Sequence, residues 1–92
     1  MIIGFRDKQT RLLAEGEHVK AFSGFARQAE KRLRILESAQ SLEDLRVLRS
    51  NRLERLKGDR EGQYSIRINE QWRICFDWRE DGAHNVEITD YH

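Results

Sequence analysis

Ninety-two residues, 38% hydrophobic and 36% charged with a formal net charge of +1, describe one small folded domain with little apolar surface to spare. No apolar run approaches the roughly 20 residues of a membrane span, and residues 1–5 are too short for a signal peptide, so a cytoplasmic protein with no membrane partner is expected. A single Cys75 excludes an internal disulfide, and His18, His84 and His92 are scattered along the chain; no metal site and no cofactor are expected.

In chain order, residues 2–5 read as a short strand, and Asp7 is placed to cap a helix through Leu12, Leu13 and Ala14 that Gly16 stops. Phe22, Ala26, Ala29, Leu33 and Leu36 are spaced 4, 3, 4 and 3, which draws one apolar stripe along a second helix ending near Ala39. Ser23 or Gly24 marks its expected start, and Arg27, Lys31, Arg32 and Arg34 form its solvated face. Ser41 caps one further helical turn. Leu45, Val47 and Leu48 are expected as apolar anchors, and Leu53 and Leu56 as part of an edge strand.

The last third alternates. Tyr64, Ile66 and Ile68, then Trp72, Ile74, Phe76 and Trp78, then Val86 and Ile88 recur at period 2, the signature of half-buried strands. Asn69-Glu70-Gln71 supplies the first connection, and Asp81-Gly82 suits a type I′ turn for the second. With no proline, repeat or linker, the chain reads as a single α+β domain over residues 1–92. Two N-terminal helices pack on one face of a mainly antiparallel sheet of three to five strands. The other face is expected to stay uncovered, as a concave basic groove.

Opposite parity places Ser65, Arg67, Arg73, Cys75, Asp77, Glu87, Thr89 and Tyr91 on that second face. Cross-strand neighbours lie roughly 5 Å apart at Cβ, close enough for Arg67, Arg73 and Tyr91 to converge on one anion. The alternative is a solvated face on which these arginines simply pair with Glu87 or Asp77. Residues 45–73 hold eight Lys or Arg against four Asp or Glu, whereas residues 74–92 hold one against five. Arg46, Arg49, Arg52, Arg55, Lys57 and Arg60 recur about every third residue, a clustering that suits a phosphate backbone and equally suits plain solubility. Trp72 and Trp78 fall in the core register, Cys75 is expected to be inert, and His18 and His84 to sit in exposed loops.

Lys57-Gly58-Asp59-Arg60-Glu61-Gly62, Ser65-Ile66-Arg67-Ile68, Trp72-Arg73-Ile74-Cys75-Phe76 and Asp90-Tyr91-His92, in this order and at these intervals, resemble the HigB-type toxins of the RelE/ParE superfamily over essentially the whole chain. The resemblance implies a bacterial type II toxin that enters the decoding site of a translating 70S ribosome and cuts messenger RNA there. It implies no metal: a ribose 2′-hydroxyl attacks its own 3′ phosphate. A helix-turn-helix antitoxin of the HigA type is the implied partner. Carried onto this chain, Arg73 and Lys57 would hold the phosphate, Asp90 and His92 would move protons, and Tyr91 would stack on a base or orient the ribose. Arg49, Arg60 and Arg67 would contact the RNA backbone. Where some relatives carry a histidine this chain has Glu54, which either replaces the imidazole or leaves proton transfer to the C-terminal residues. A ParE-like gyrase inhibitor and a non-catalytic binding module are the two other readings of such a chain.

Overall fold

The alternating last third forms three consecutive antiparallel strands, β2 (Gln63–Arg67), β3 (Trp72–Arg79) and β4 (Gly82–Asp90), in a computed structural model that describes residues 1–90. A two-residue strand, β1 (Glu54–Arg55), pairs with β2, so the sheet order is β1-β2-β3-β4 and every neighbour is antiparallel. Residues 2–5 do not form a full strand; they make two parallel bridges to β4, Ile2 with Ala83 and Phe5 with Val86.

The predicted helices lie on the apolar face. Asp7 caps α1 (Lys8–Ala14) through its carboxylate, which accepts from the Thr10 amide at 3.1 Å. The second helix starts later than its apolar stripe suggests: residues Lys20–Phe25 wind as a 3-10 turn and α2 spans Ala26–Ser38. Ser23 donates to the Lys20 carbonyl at 2.9 Å, and a back-bonding serine beside a glycine favours the tighter turn over a regular helix. Phe22 is buried all the same. Ser41 caps α3 (Leu42–Val47), accepting from the Asp44 amide at 3.2 Å. Leu45 is buried, but Val47 and Leu48 are 67% and 41% exposed rather than anchored; Val47, two residues past Leu45 in the same helix, falls on the side away from the core.

One core joins Leu13, Phe22, Ala29, Leu33, Leu36 and Leu45 from the helical layer to Ile66, Ile68, Ile74, Phe76, Val86 and Ile88 from the sheet. Trp72 stacks on Phe25 at 4.8 Å and meets Phe22 edge-on at 6.0 Å, so it packs in the core as its parity predicts. Thr10, fully buried, accepts from the Ile88 amide at 3.0 Å and ties α1 to β4.

The hairpin ends differ from expectation. Arg79 pairs with Gly82, so Glu80 and Asp81 are the connecting residues, and neither has positive φ. Gly82 is required for another reason: a Cβ there would overlap the Met1 carbonyl oxygen, which accepts from the Ala83 amide at 2.9 Å. Further along, β4 carries one extra residue opposite Phe76, with Asn85 left-handed at φ 53. This bulge keeps both Ala83 and Val86 on the core side despite their odd spacing. Among the described residues no helix is long and apolar enough to cross a membrane.

Candidate active site

The second face of the sheet is polar but not uncovered. Ser65 and Cys75 have no exposure, Gln63 has 9%, and Leu56, following β1, is 2% exposed with its amide bound to the Gln63 carbonyl at 2.8 Å. The segment after α3 makes the cover. It runs through a 3-10 turn (Arg49–Asn51), β1, and a second 3-10 turn (Gly58–Arg60) before entering β2.

Arg60 spans this face. Its guanidinium donates to Gln63 Oε1 on β2 at 3.0 Å and to Glu87 Oε1 on β4 at 3.0 Å, so it crosses β3 and fastens the 57–62 loop to the sheet. Arg6 adds a longer contact to the same Glu87 oxygen, 3.9 Å. Burial pushes the Cys75 thiol up, and the nearby Arg60 charge opposes that shift without reversing it, in keeping with an inert cysteine.

Arg73 is the most tightly held cation on the face, its side chain 13% exposed. Nε donates to Ser65 Oγ at 2.8 Å, and Nη2 donates to the Arg52 carbonyl at 2.7 Å with Glu54 Oε2 at 3.6 Å. Two fixed donors set the plane of a guanidinium, so its orientation is defined before any ligand arrives. Arg67 stands directly opposite in the β2–β3 register. Like charges so placed repel, and an anion between them would remove the repulsion. Arg67 is itself steadied by the Asn69 carbonyl at 3.1 Å, with Glu70 at 4.0 Å.

Charge pairs therefore do occupy this face, but not those expected from parity. Glu87 pairs with Arg60, Arg73 with Glu54, and Asp77 accepts from Asn85 Nδ2 at 2.6 Å. The long-range partners come from segments outside the alternating pattern.

The remaining predicted residues divide. Lys57 is exposed and extended at the mouth of the Gly58–Arg60 turn, three residues beyond Glu54. Arg49 is exposed on the preceding turn. Asp90 pairs in register with Trp72, whereas Arg73 pairs with Thr89, so Asp90 is one residue out of phase with Arg73, as alternation predicts. Its carboxylate accepts from Gln71 Nε2 at 2.8 Å. Tyr91 and His92 lie outside the described residues. His84 is not in a loop: it sits in β4, 18% exposed, bound to Asp81 Oδ1 at 2.6 Å.

Sequence reasoning missed three contributors. Arg52, left-handed at φ 44 and ψ 54, offers its carbonyl to Arg73; a non-glycine residue there costs on the order of 1 kcal/mol or more, and no residue type announced it. Arg32 is half-buried rather than solvated, with Nη1 donating to Asn51 Oδ1 at 2.8 Å and Ser50 Oγ at 3.2 Å. Asn51 is fully buried and donates to the Leu45 carbonyl at 3.0 Å.

Helices on one face of a four-stranded antiparallel sheet, with basic side chains gathered on the other, are the arrangement of a RelE-like toxin. A family model described as the RelE-like toxin of the type II toxin-antitoxin system HigB matches residues 4–92, and the chain belongs to that family. It is 36% identical over 90 residues to Toxin HigB-1 of Vibrio cholerae serotype O1 (strain ATCC 39315 / El Tor Inaba N16961), across 96% of this chain and 95% of that one. It is 33% identical over 96 residues to Endoribonuclease HigB of Proteus vulgaris, across the full length of both. A type II toxin has an antitoxin as its partner.

Proposed function

We propose that this toxin is an endoribonuclease that cuts messenger RNA on the translating ribosome, without a metal, and so stops translation in the cytoplasm. The observation that carries the reading is the fixed Arg73 guanidinium facing Arg67 across the β2–β3 register. The Arg73 fork suits a phosphodiester, whose charge increases as the phosphorane forms, and Arg67 beside it suits the adjoining phosphate of the RNA backbone. The name of the Proteus vulgaris relative supports the choice of RNA.

In this mechanism Arg73 takes two non-bridging oxygens, and Lys57 adds a compact cation from the loop mouth. The 2′-hydroxyl attacks the adjacent phosphorus, leaving a 2′,3′-cyclic phosphate and a free 5′-hydroxyl. One group must accept the 2′ proton and another must protonate the leaving 5′ oxygen. Asp90 and His92 are assigned to these transfers and Tyr91 to the base or ribose, an assignment that requires the chain end to twist so that Asp90, out of phase with Arg73, comes round to the same phosphate. Arg49 and Arg67 take the flanking backbone, while Arg60 holds the loop that presents Lys57. Positioning is worth roughly 7–11 kcal/mol in favourable cases, so a site with modest acid-base groups gains most when the ribosome places the message. Free RNA is then a poor substrate. The antitoxin is assigned a helix-turn-helix domain.

The test is Arg73→Ala in a purified translation system, with message ends mapped by sequencing. Cleavage should fall by about two to three orders of magnitude, the loss typical of removing one donor to a developing oxyanion. Cutting at the normal rate would remove Arg73 from the site. Intact transcripts with gyrase-linked DNA breaks in cells expressing the unaltered toxin would replace the nuclease reading with the ParE-like one.

A further inference from the structure

We propose that Asn51 is a positioning residue for Arg73, acting through the backbone of Arg52 to set the direction in which the guanidinium meets a phosphate. The inference rests on the nuclease reading above and deepens it.

Both ends of the Asn51 amide are occupied. Oδ1 accepts from Arg32 Nη1 of α2 at 2.8 Å, and Nδ2 donates to the Leu45 carbonyl of α3 at 3.0 Å. A fully buried residue thus braces the Arg49–Asn51 turn against two helices. The next residue, Arg52, holds a left-handed conformation that its side chain disfavours, while its amide donates to the Arg49 carbonyl at 3.0 Å. In that conformation the Arg52 carbonyl accepts from Arg73 Nη2 at 2.7 Å. Strain of this kind persists only where the surroundings over-determine it. Here they do so from both sides, with the Asn51 brace before Arg52 and the pairing of Glu54 with Ser65 after it.

Removing the brace lets Arg52 relax toward a commoner conformation and swings its carbonyl away. Arg73 then keeps Ser65 and the longer contact of Nη2 with Glu54 at 3.6 Å, but loses the short bond that fixes Nη2, and its plane tilts toward Glu54. The phosphate is still attracted, yet the fork no longer matches its two oxygens.

A double-substitution cycle on purified ribosomes programmed with message separates this from a plain folding role. Asn51→Ala should lower the cleavage rate at saturating ribosomes by about 10- to 100-fold, the range a misplacement near 1 Å produces, with the half-saturating ribosome concentration changed less than about twofold. In an Arg73→Lys background, where the fork is already gone, the same substitution should cost less than about threefold more, because the two changes break one interaction. Equal losses in both backgrounds overturn the proposal, as does no loss in the native background. If Asn51→Ala does not fold, Arg32→Ala frees Oδ1 from the α2 side and should follow the same pattern with a smaller loss; equal losses again overturn it. Undiminished cleavage by Arg73→Lys itself would point to a failure of the Arg73 assignment, and the positioning role would fall with it.

Discussion

The two faces of this sheet are assembled by different rules. The apolar face collects residues from strands and helices whose spacing repeats, and each contributes area removed from water. The polar face collects Arg73, Arg67 and Ser65 from the strands, then completes them with Arg52, Glu54 and Arg60 from short turns and a two-residue strand. The first holds the fold together; the second orients a few cations. Substitutions on the two faces should therefore separate stability from activity.

The largest effect on stability belongs to the apolar face. Phe76 has no exposure and meets Tyr64 and Trp78 at ring-centroid distances of 6.3 and 6.4 Å. Phe76→Ala should cost about 3–5 kcal/mol, as large-to-small changes at buried aromatics do, and lower Tm by roughly 12 °C or more. Denaturant unfolding with a native-like m-value would check it. A loss under about 1 kcal/mol would mean that the core does not end where the face does.

Ser65→Ala makes the matching change on the other face. Ser65 is just as buried, but its hydroxyl accepts from Arg73 Nε at 2.8 Å. Removing that acceptor should cost about 1–3 kcal/mol of stability, the penalty for leaving a mostly buried charged donor without its partner, while translation-coupled cleavage falls about tenfold or more through loss of orientation. If stability fell further than for Phe76→Ala and cleavage per folded molecule stayed normal, the division between the faces would be wrong.

The division also explains what the sequence made legible. Period-2 alternation from Tyr64 to Ile88 located three strands and both faces, because burial on one side of a pleated sheet imposes that period directly. The α2 stripe was equally plain, and Asp7 and Ser41 announced their helices by cap chemistry. Arg67 and Arg73 emerged on one face by parity alone. In the 48–62 segment only the edge strand between Leu53 and Leu56 was legible, and it is β1. The segment's 3-10 turns are too short to show a period, and Arg52 takes a glycine-like conformation without being glycine. Arg32 looked solvated because half of its helix neighbours are; Ser50 and a buried Asn51, arriving from 18 and 19 residues away, occupy it. Contacts made across sequence distance by irregular backbone leave no local pattern. The same cause misplaced His84, which belongs to β4 only because the Glu80-Asp81 turn is so tight.

That hairpin tip offers a contrast to both faces, since it neither buries a core nor orients the candidate site. The Asp81 carboxyl is held below its ordinary value of 3.8, first by the hydrogen bond from His84 and then by the charges of His84 and Arg79, while desolvation works the other way. A carboxyl whose pKa is lower in the folded state adds stability above its unfolded pKa and loses it as pH falls through the folded one. Asp81→Asn should therefore lower Tm slightly near neutral pH, and the gap to the native chain should close as pH is taken well below 3.8. Because Asp81 is 61% exposed, the gap should also shrink in high salt. A gap that widens in acid would reverse the sign and mean that the pair strains the turn instead of securing it, while cleavage at neutral pH should not change in either case.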